Sequence, residues 1–240
     1  MLDVHPPHAP THTWRDFFIH IATIVVGLII ALGLEQAAEY LHHREQRAHL
    51  REDLRQEAEG NISLVDSDTK TQSQSIAFYS ACLGSALTAP QASNYVTFTV
   101  PPSPDRRHHL TKPESSVWAA AKASTTVAVL TRPEIEAWDR VDYDAQMGEK
   151  AEEATTDAST QLRAITDHLG ISLRPGTTIH ITLPQRDELT RAIGLVIESL
   201  RTFMRKVANY GADSDAAVHG AYTAAAMFPF RDRAARALPN

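Results

Sequence analysis

Residues 17–34, FFIHIATIVVGLIIALGL, decide how the rest of the chain is read. His20 is the only ionisable side chain in these eighteen residues. At about 1.5 Å of rise per residue, a helix of that length spans roughly 27 Å, close to the ~30 Å hydrocarbon core of a bilayer. The expected element is a single transmembrane helix. Trp14 at one end and Tyr40 beyond the other suit the interfacial belts where amphipathic rings sit. Two rival readings compete with it. A cleaved signal peptide would use Ala31-Leu32-Gly33 as its small residues, but the basic start is missing, because Arg15 is the only basic side chain before Phe17 and Asp16 adjoins it. A helix buried in a soluble core is the other, since the run from Ile21 to Leu34 has only fourteen residues.

Within the stretch, Thr23, Gly27 and Ala31 recur every four residues, and Glu35 continues the series. That spacing places small side chains on one helical face, the pattern that lets two membrane helices approach closely. Thr23, Gly27, Ala31 and Glu35 are therefore the expected helix-packing interface, toward a protein partner or a second copy. The alternative is a transport or signalling component in which Glu35 or His20 carries a proton. Glu35 falls at the expected membrane edge, where a carboxylate ordinarily reaches water.

Working outward, residues 1–12 read as a flexible tail, with Pro6, Pro7 and Pro10 among His5, His8 and His12. A proline-rich tail supplies no second shell to orient metal ligands, so neither metal nor cofactor is expected there. Thr13 with Asp16 resembles a capping box opening the helix. After Leu34, EQAAEYLHHREQRAHLREDLRQEAEGN has no proline and no glycine before Gly60, so a transmembrane plus juxtamembrane helix is predicted over 13–60, roughly 70 Å long. Leu34, Leu41 and Ala48 are seven apart, but Arg55 breaks the series and a long coiled coil is poorly supported. His42, His43 and His49 belong to its polar face. Arg44, Arg47 and Arg51 follow the apolar stretch against Arg15 before it, which favours a cytosolic C-terminal domain.

These residues also carry a resemblance. HIATIVVGLIIALGLEQAAEYLHHREQRAHLREDLRQEAEGN, with a Glu and Asn pair near its end (Glu57 or Glu59 with Asn61), and the later Trp118-Ala-Ala-Ala-Lys-Ala-Ser, resemble a broad group of uncharacterised bacterial single-pass inner-membrane proteins. The match covers about a quarter of the chain. It implies an architecture and a location in the bacterial inner membrane, not an activity. Relatives with a more basic N-terminal tail imply the opposite topology.

The remainder predicts a mainly α fold, a helical bundle over 61–228 with a small two-stranded β ribbon, then a flexible tail over 229–240. The ribbon pairs Tyr95–Val100 with Thr178–Leu183, two alternating runs that place Val96, Phe98 and Val100, and Ile179, Ile181 and Leu183, on single faces. Helices are expected at Ile62–Leu87, interrupted near Gly60-Asn61, at Ser115–Leu130 with Trp118, Ala121, Thr125 and Val129 inward, at Pro133–Gly170 with a solvated acidic middle or a break near Gly148, at Arg186–Tyr210 with Leu189, Ile193, Ile197, Leu200, Met204 and Val207 inward, and more weakly at Ala216–Phe228. Arg201, Arg205 and Lys206 are read as complementing the dipole at a helix end.

Composition narrows the function classes. A net charge of −6 and a pI near 6.0 argue against a nucleic-acid surface. Cys82 is the single cysteine, so no intrachain disulfide forms, and its neighbours make it a small buried residue on a helix. No dinucleotide, Walker, zinc-protease, nucleophile-elbow or C-x-x-C motif occurs, which argues against an enzyme. Asp142 and Asp144 have spacing that aims them apart, and His108-His109 reads as a solvated turn. The reading is a membrane-anchored binding or assembly module, accessory or sensor-like, with lipid bilayer and a protein partner as its expected contacts.

Overall fold

The computed structural model describes residues 14–103 and 113–238. The expected tail at 1–12, the Thr13 cap and the His108-His109 turn lie outside them. The chain divides into two compact units, the first ending at His49 and the second beginning at Leu50. Helix α1, Trp14–Thr88, supplies residues to both.

In the first unit every residue from Trp14 to Glu45 is exposed. Trp14, Phe17 and Phe18 cluster with ring centroids 5.3–5.8 Å apart. Tyr40 lies twenty-six residues on from Trp14, roughly 39 Å of helix, which matches a bilayer core plus part of its headgroup layers.

The second unit is a helical bundle carrying a small sheet. Its part of α1 buries Leu50, Leu54, Ala58, Asn61, Val65, Asp68, Gln72, Ser75, Ile76, Cys82 and Ala86, a stripe at three- and four-residue steps. The expected interruption at Gly60-Asn61 does not occur, and α1 continues to Thr88. A helical glycine costs only about 1 kcal/mol against alanine, and the burial and bonding of Asn61 outweigh it.

Helix α2, Ser116–Ala123, is half the expected length. Thr125 adopts a left-handed conformation (φ 60°), a short 3-10 turn follows at Thr126–Val129, and Thr125 points to solvent while Trp118, Ala121 and Val129 are buried. Helix α3, Arg132–His168, runs unbroken through Gly148. Ala145, Gly148, Ala151, Thr155 and Ala158 make its inward face narrow enough for close packing on α4, Leu183–Val218. The expected apolar positions of α4, from Leu189 to Val207, are all buried. Gly211 extends that face, and a Cβ there would stand 3.3 Å from Val65, so α1 and α4 cross where only glycine fits without a shift.

The sheet has three antiparallel strands rather than two: β1 (Gln91–Ala92), β2 (Tyr95–Thr99) and β3 (Thr178–Thr182), in that order. The β2–β3 register opposes Val96 to Ile181 and Phe98 to Ile179, and all four side chains enter the core with Phe78, Cys82, Leu189 and Ile193. β1 escapes a reading by alternation because it is two residues long and folds back through Ser93 at φ 57°. Leu183 does not end the strand but begins α4, where Thr182 and Gln185 form a capping box and Pro184 occupies the first turn.

The end of the chain also departs from the expected tail. After α4 the chain turns through Gly220 (φ 77°) and forms α5, Ala224–Ala237, capped by the Thr223 hydroxyl and containing Pro229. Proline removes one backbone hydrogen bond and disfavours helix. The burial of Met227 and the ion pairs of Arg231 hold it nonetheless. Because α4 runs to Val218, Arg201, Arg205 and Lys206 are mid-helix and do not complement a dipole end.

Candidate functional site

The four stripe residues all lie on the exposed first-unit part of α1. Thr23 Oγ1 donates to the Ile19 carbonyl at 2.9 Å, so its hydroxyl is satisfied within the helix. No atom lies within 4 Å of where a Gly27 Cβ would be. The face is open, and nothing in the chain covers it. His20 and Glu35 are exposed alongside.

In the second unit, polar side chains pin the elements together. Glu134, at the third position of α3, reaches back to accept from the Thr131 backbone N–H (2.7 Å) and hydroxyl (2.6 Å), and it accepts from Arg51 Nε at 2.6 Å. Burial opposes its charge, but the donors outweigh burial and hold its pKa below the ordinary value. Glu57 of α1 accepts from the Ser116 hydroxyl and the Val117 N–H, capping α2 from a distance. Asn61 donates to the Tyr210 hydroxyl (2.6 Å) and to the Glu114 carbonyl (2.7 Å), and Tyr210 donates to the same carbonyl at 3.1 Å. Burial pushes the Tyr210 phenol well above its ordinary pKa, so it stays a donor. Truncating Asn61 to alanine strands both partners. Asn61→Ala is expected to cost about 1–3 kcal/mol in urea-induced unfolding.

Asp142 and Asp144 do aim apart. Asp142 accepts from Ser115 Oγ and Lys122 Nζ, both at 2.6 Å. Asp144 turns to α5, where Arg231 bridges it (3.1 Å) to Asp213 of α4, which takes a bidentate pair at 2.5 and 2.6 Å. Burial, together with the Asp213 charge, raises Asp144 to about 6. Sequence reasoning missed this trio because its members are 69 and 18 residues apart. The one available signal is Asp213-Ser214 inside the small-residue run Gly211–Ala217, where a carboxylate on a buried face requires a cation.

Two clefts open beside α4. One, of about 590 Å³, is lined by Ile76, Arg201, Met204, Arg205, Asn209 and Leu238 among others. The second, of about 320 Å³, runs along Val65, Thr69, Gly211, Phe230 and Leu238. Ala208 and Leu238 belong to both. No cluster of three or more His, Cys, Asp or Glu side chains able to hold a metal exists among the described residues.

No family model, curated protein or solved structure matches the chain. The functional reading therefore rests on the chain's own surfaces, and these are of two kinds: an uncovered apolar helix in the first unit and a polar-rimmed cleft in the second.

Proposed function

We propose that the chain is a single-pass membrane-tethered binding or assembly module of the bacterial inner membrane, with α1 around Phe17–Leu34 as its span and the bundle from Leu50 onward as its working unit. The observation that supports this most is the mean hydropathy of 2.6 over an eighteen-residue window of α1, with none of that window buried. Exposed apolar area costs about 25 cal/mol per Å² against burial, so a helix bare all round needs a lipid or protein environment. A core helix would be covered by its own chain. The excess of arginine after the span supports a cytosolic bundle. A reporter fused after Asn240 tests that side, and an active periplasmic reporter overturns it.

The test of anchoring is extraction of the full chain from membranes. It is expected to stay in the pellet under alkaline carbonate and to leave with detergent. A monodisperse product made without detergent would refute the anchor. Association through the Thr23, Gly27 and Ala31 face has its own test: Gly27→Leu is expected to shift the detergent-solubilised protein to a smaller assembly in light scattering, because a bulky side chain separates the backbones. Unchanged mass removes that interface from the proposal.

A further inference from the structure

We propose that the larger cleft beside α4 binds a small apolar amide that carries a free carboxylate, an N-acyl amino acid or the end of an apolar peptide. The inference rests on reading the second unit as a binding module, and it is independent of the membrane anchor. The rim carries Arg201, Arg205 and Asn209, and the walls are Ile76, Met204, Ala208, Ala235 and Leu238. Glu198 accepts from Arg201 at 3.0 Å, and the printed hydrogen bond of Arg205 goes to the Thr202 hydroxyl at 3.2 Å, not to a carboxylate. Rim charge therefore sums to one uncompensated guanidinium, which matches a monoanion and forms charge-assisted hydrogen bonds with it. An anionic head with an apolar body follows from that lining.

A second observation sharpens the chemistry. Gln72 is 1% exposed, and neither its Oε1 nor its Nε2 has a hydrogen-bond partner. It stands three residues after Thr69, which lines the second cleft, and four before Ile76, which lines the first, so it shares their face of α1. An unmade buried amide costs about 1–3 kcal/mol per group. One acceptor and one donor side by side are complementary to a peptide group, which offers the reverse pair. The carboxylate then meets Arg205 at the rim, the side chain lies on Met204 and Leu238, and the amide faces Gln72.

The chain has four methionines, of which Met204 lines the cleft and Met227 lies buried under α5. The full chain, reconstituted in phosphatidylcholine nanodiscs with methyl-labelled methionine, is titrated with N-acetyl-leucine. The Met204 methyl signal, assigned by Met204→Leu, is expected to shift saturably while Met227 stays in place. Arg205→Gln, on an exposed side chain, and Gln72→Leu, which removes an unpaired amide, should each weaken binding tenfold or more. N-acetyl-leucinamide, lacking the anion, and 4-methylpentanoate, lacking the amide, should do likewise. N-acetyl-alanyl-alanyl-leucine binding more tightly than N-acetyl-leucine identifies a peptide end as the source, and the reverse identifies a small acylated amino acid. An unmoved Met204 signal, equal shifts with the neutral amide, or variants that titrate as the parent overturn the site. Each of those results leaves the carbonate extraction outcome untouched.

Discussion

Arg231→Ala is expected to destabilise the second unit by about 3 kcal/mol at pH 8, the lower end of what breaking a buried ion pair costs, because the Arg231 side chain is 43% exposed. Asp213 is fully buried and Asp144 nearly so, and without the guanidinium two carboxylates face each other from α3 and α4. Lys206 acts on Asp144 only through space. α5 loses its polar clasp as well, leaving Met227 and the Arg140 bond to the Tyr222 carbonyl to hold it. The pH dependence identifies the cause. In the parent protein the Asp144 pKa lies at about 6, above the ordinary 3.8 of an unfolded chain, so between those values the folded state binds more protons and its stability falls as pH rises. The expected loss across pH 4 to 6 is on the order of 2 kcal/mol. Removing Arg231 takes away a term that favours the charged form, so the decline extends beyond pH 6. Asp144→Asn abolishes the slope in the parent and recovers part of the stability of Arg231→Ala. Urea unfolding of the full chain in detergent, followed by circular dichroism at pH 5 to 8, measures all three. Equal stability of Arg231→Ala and parent at pH 8 shows that the clasp contributes nothing.

The same trio explains which parts of the fold are legible in the sequence. The β2–β3 register and the inward face of α4 are both visible because their apolar residues keep strict periods of two and of three to four. The inward stripe of α1 keeps its period too, but Asn61, Asp68, Gln72 and Ser75 occupy it, so the segment reads as a polar middle. Burial of such groups is decided by partners far away, Tyr210 for Asn61 among them, and no local pattern encodes a partner 149 residues distant. α5 is hidden for the same reason. Pro229 signals an end, and the compensating Asp213 and Asp144 belong to other helices. In the candidate cleft, Arg201 and Arg205 are visible as a basic face but misread as a helix end, since α4 continues past Tyr210 on small residues. Gln72 becomes informative only once its lack of a partner is seen.

Val25→Asp with Ile29→Asp is expected to move the chain from the membrane pellet to the supernatant. Both residues sit near the middle of the apolar stretch and are exposed, at 46% and 63%. One aspartate at the centre of a spanning helix costs about 2.5–3.5 kcal/mol on the insertion scale, and two cost about 5–7. Leucine, isoleucine, valine and phenylalanine return only about 0.3–0.6 kcal/mol each. The double variant keeps about a dozen apolar side chains in that stretch, so the sum reaches zero or turns unfavourable. A single substitution leaves the balance on the inserted side, which makes Val25→Asp alone the control that stays in the pellet. The two charges stand one turn apart on one face and break no backbone hydrogen bond, so helix formation is not the quantity being changed. Were the helix instead the exposed arm of a water-soluble protein, the same two charges would improve solubility without relocating anything, because the parent would already be in the supernatant. The parent, single and double variants separate the two cases: only a bilayer-spanning helix gives pellet, pellet and supernatant in that order.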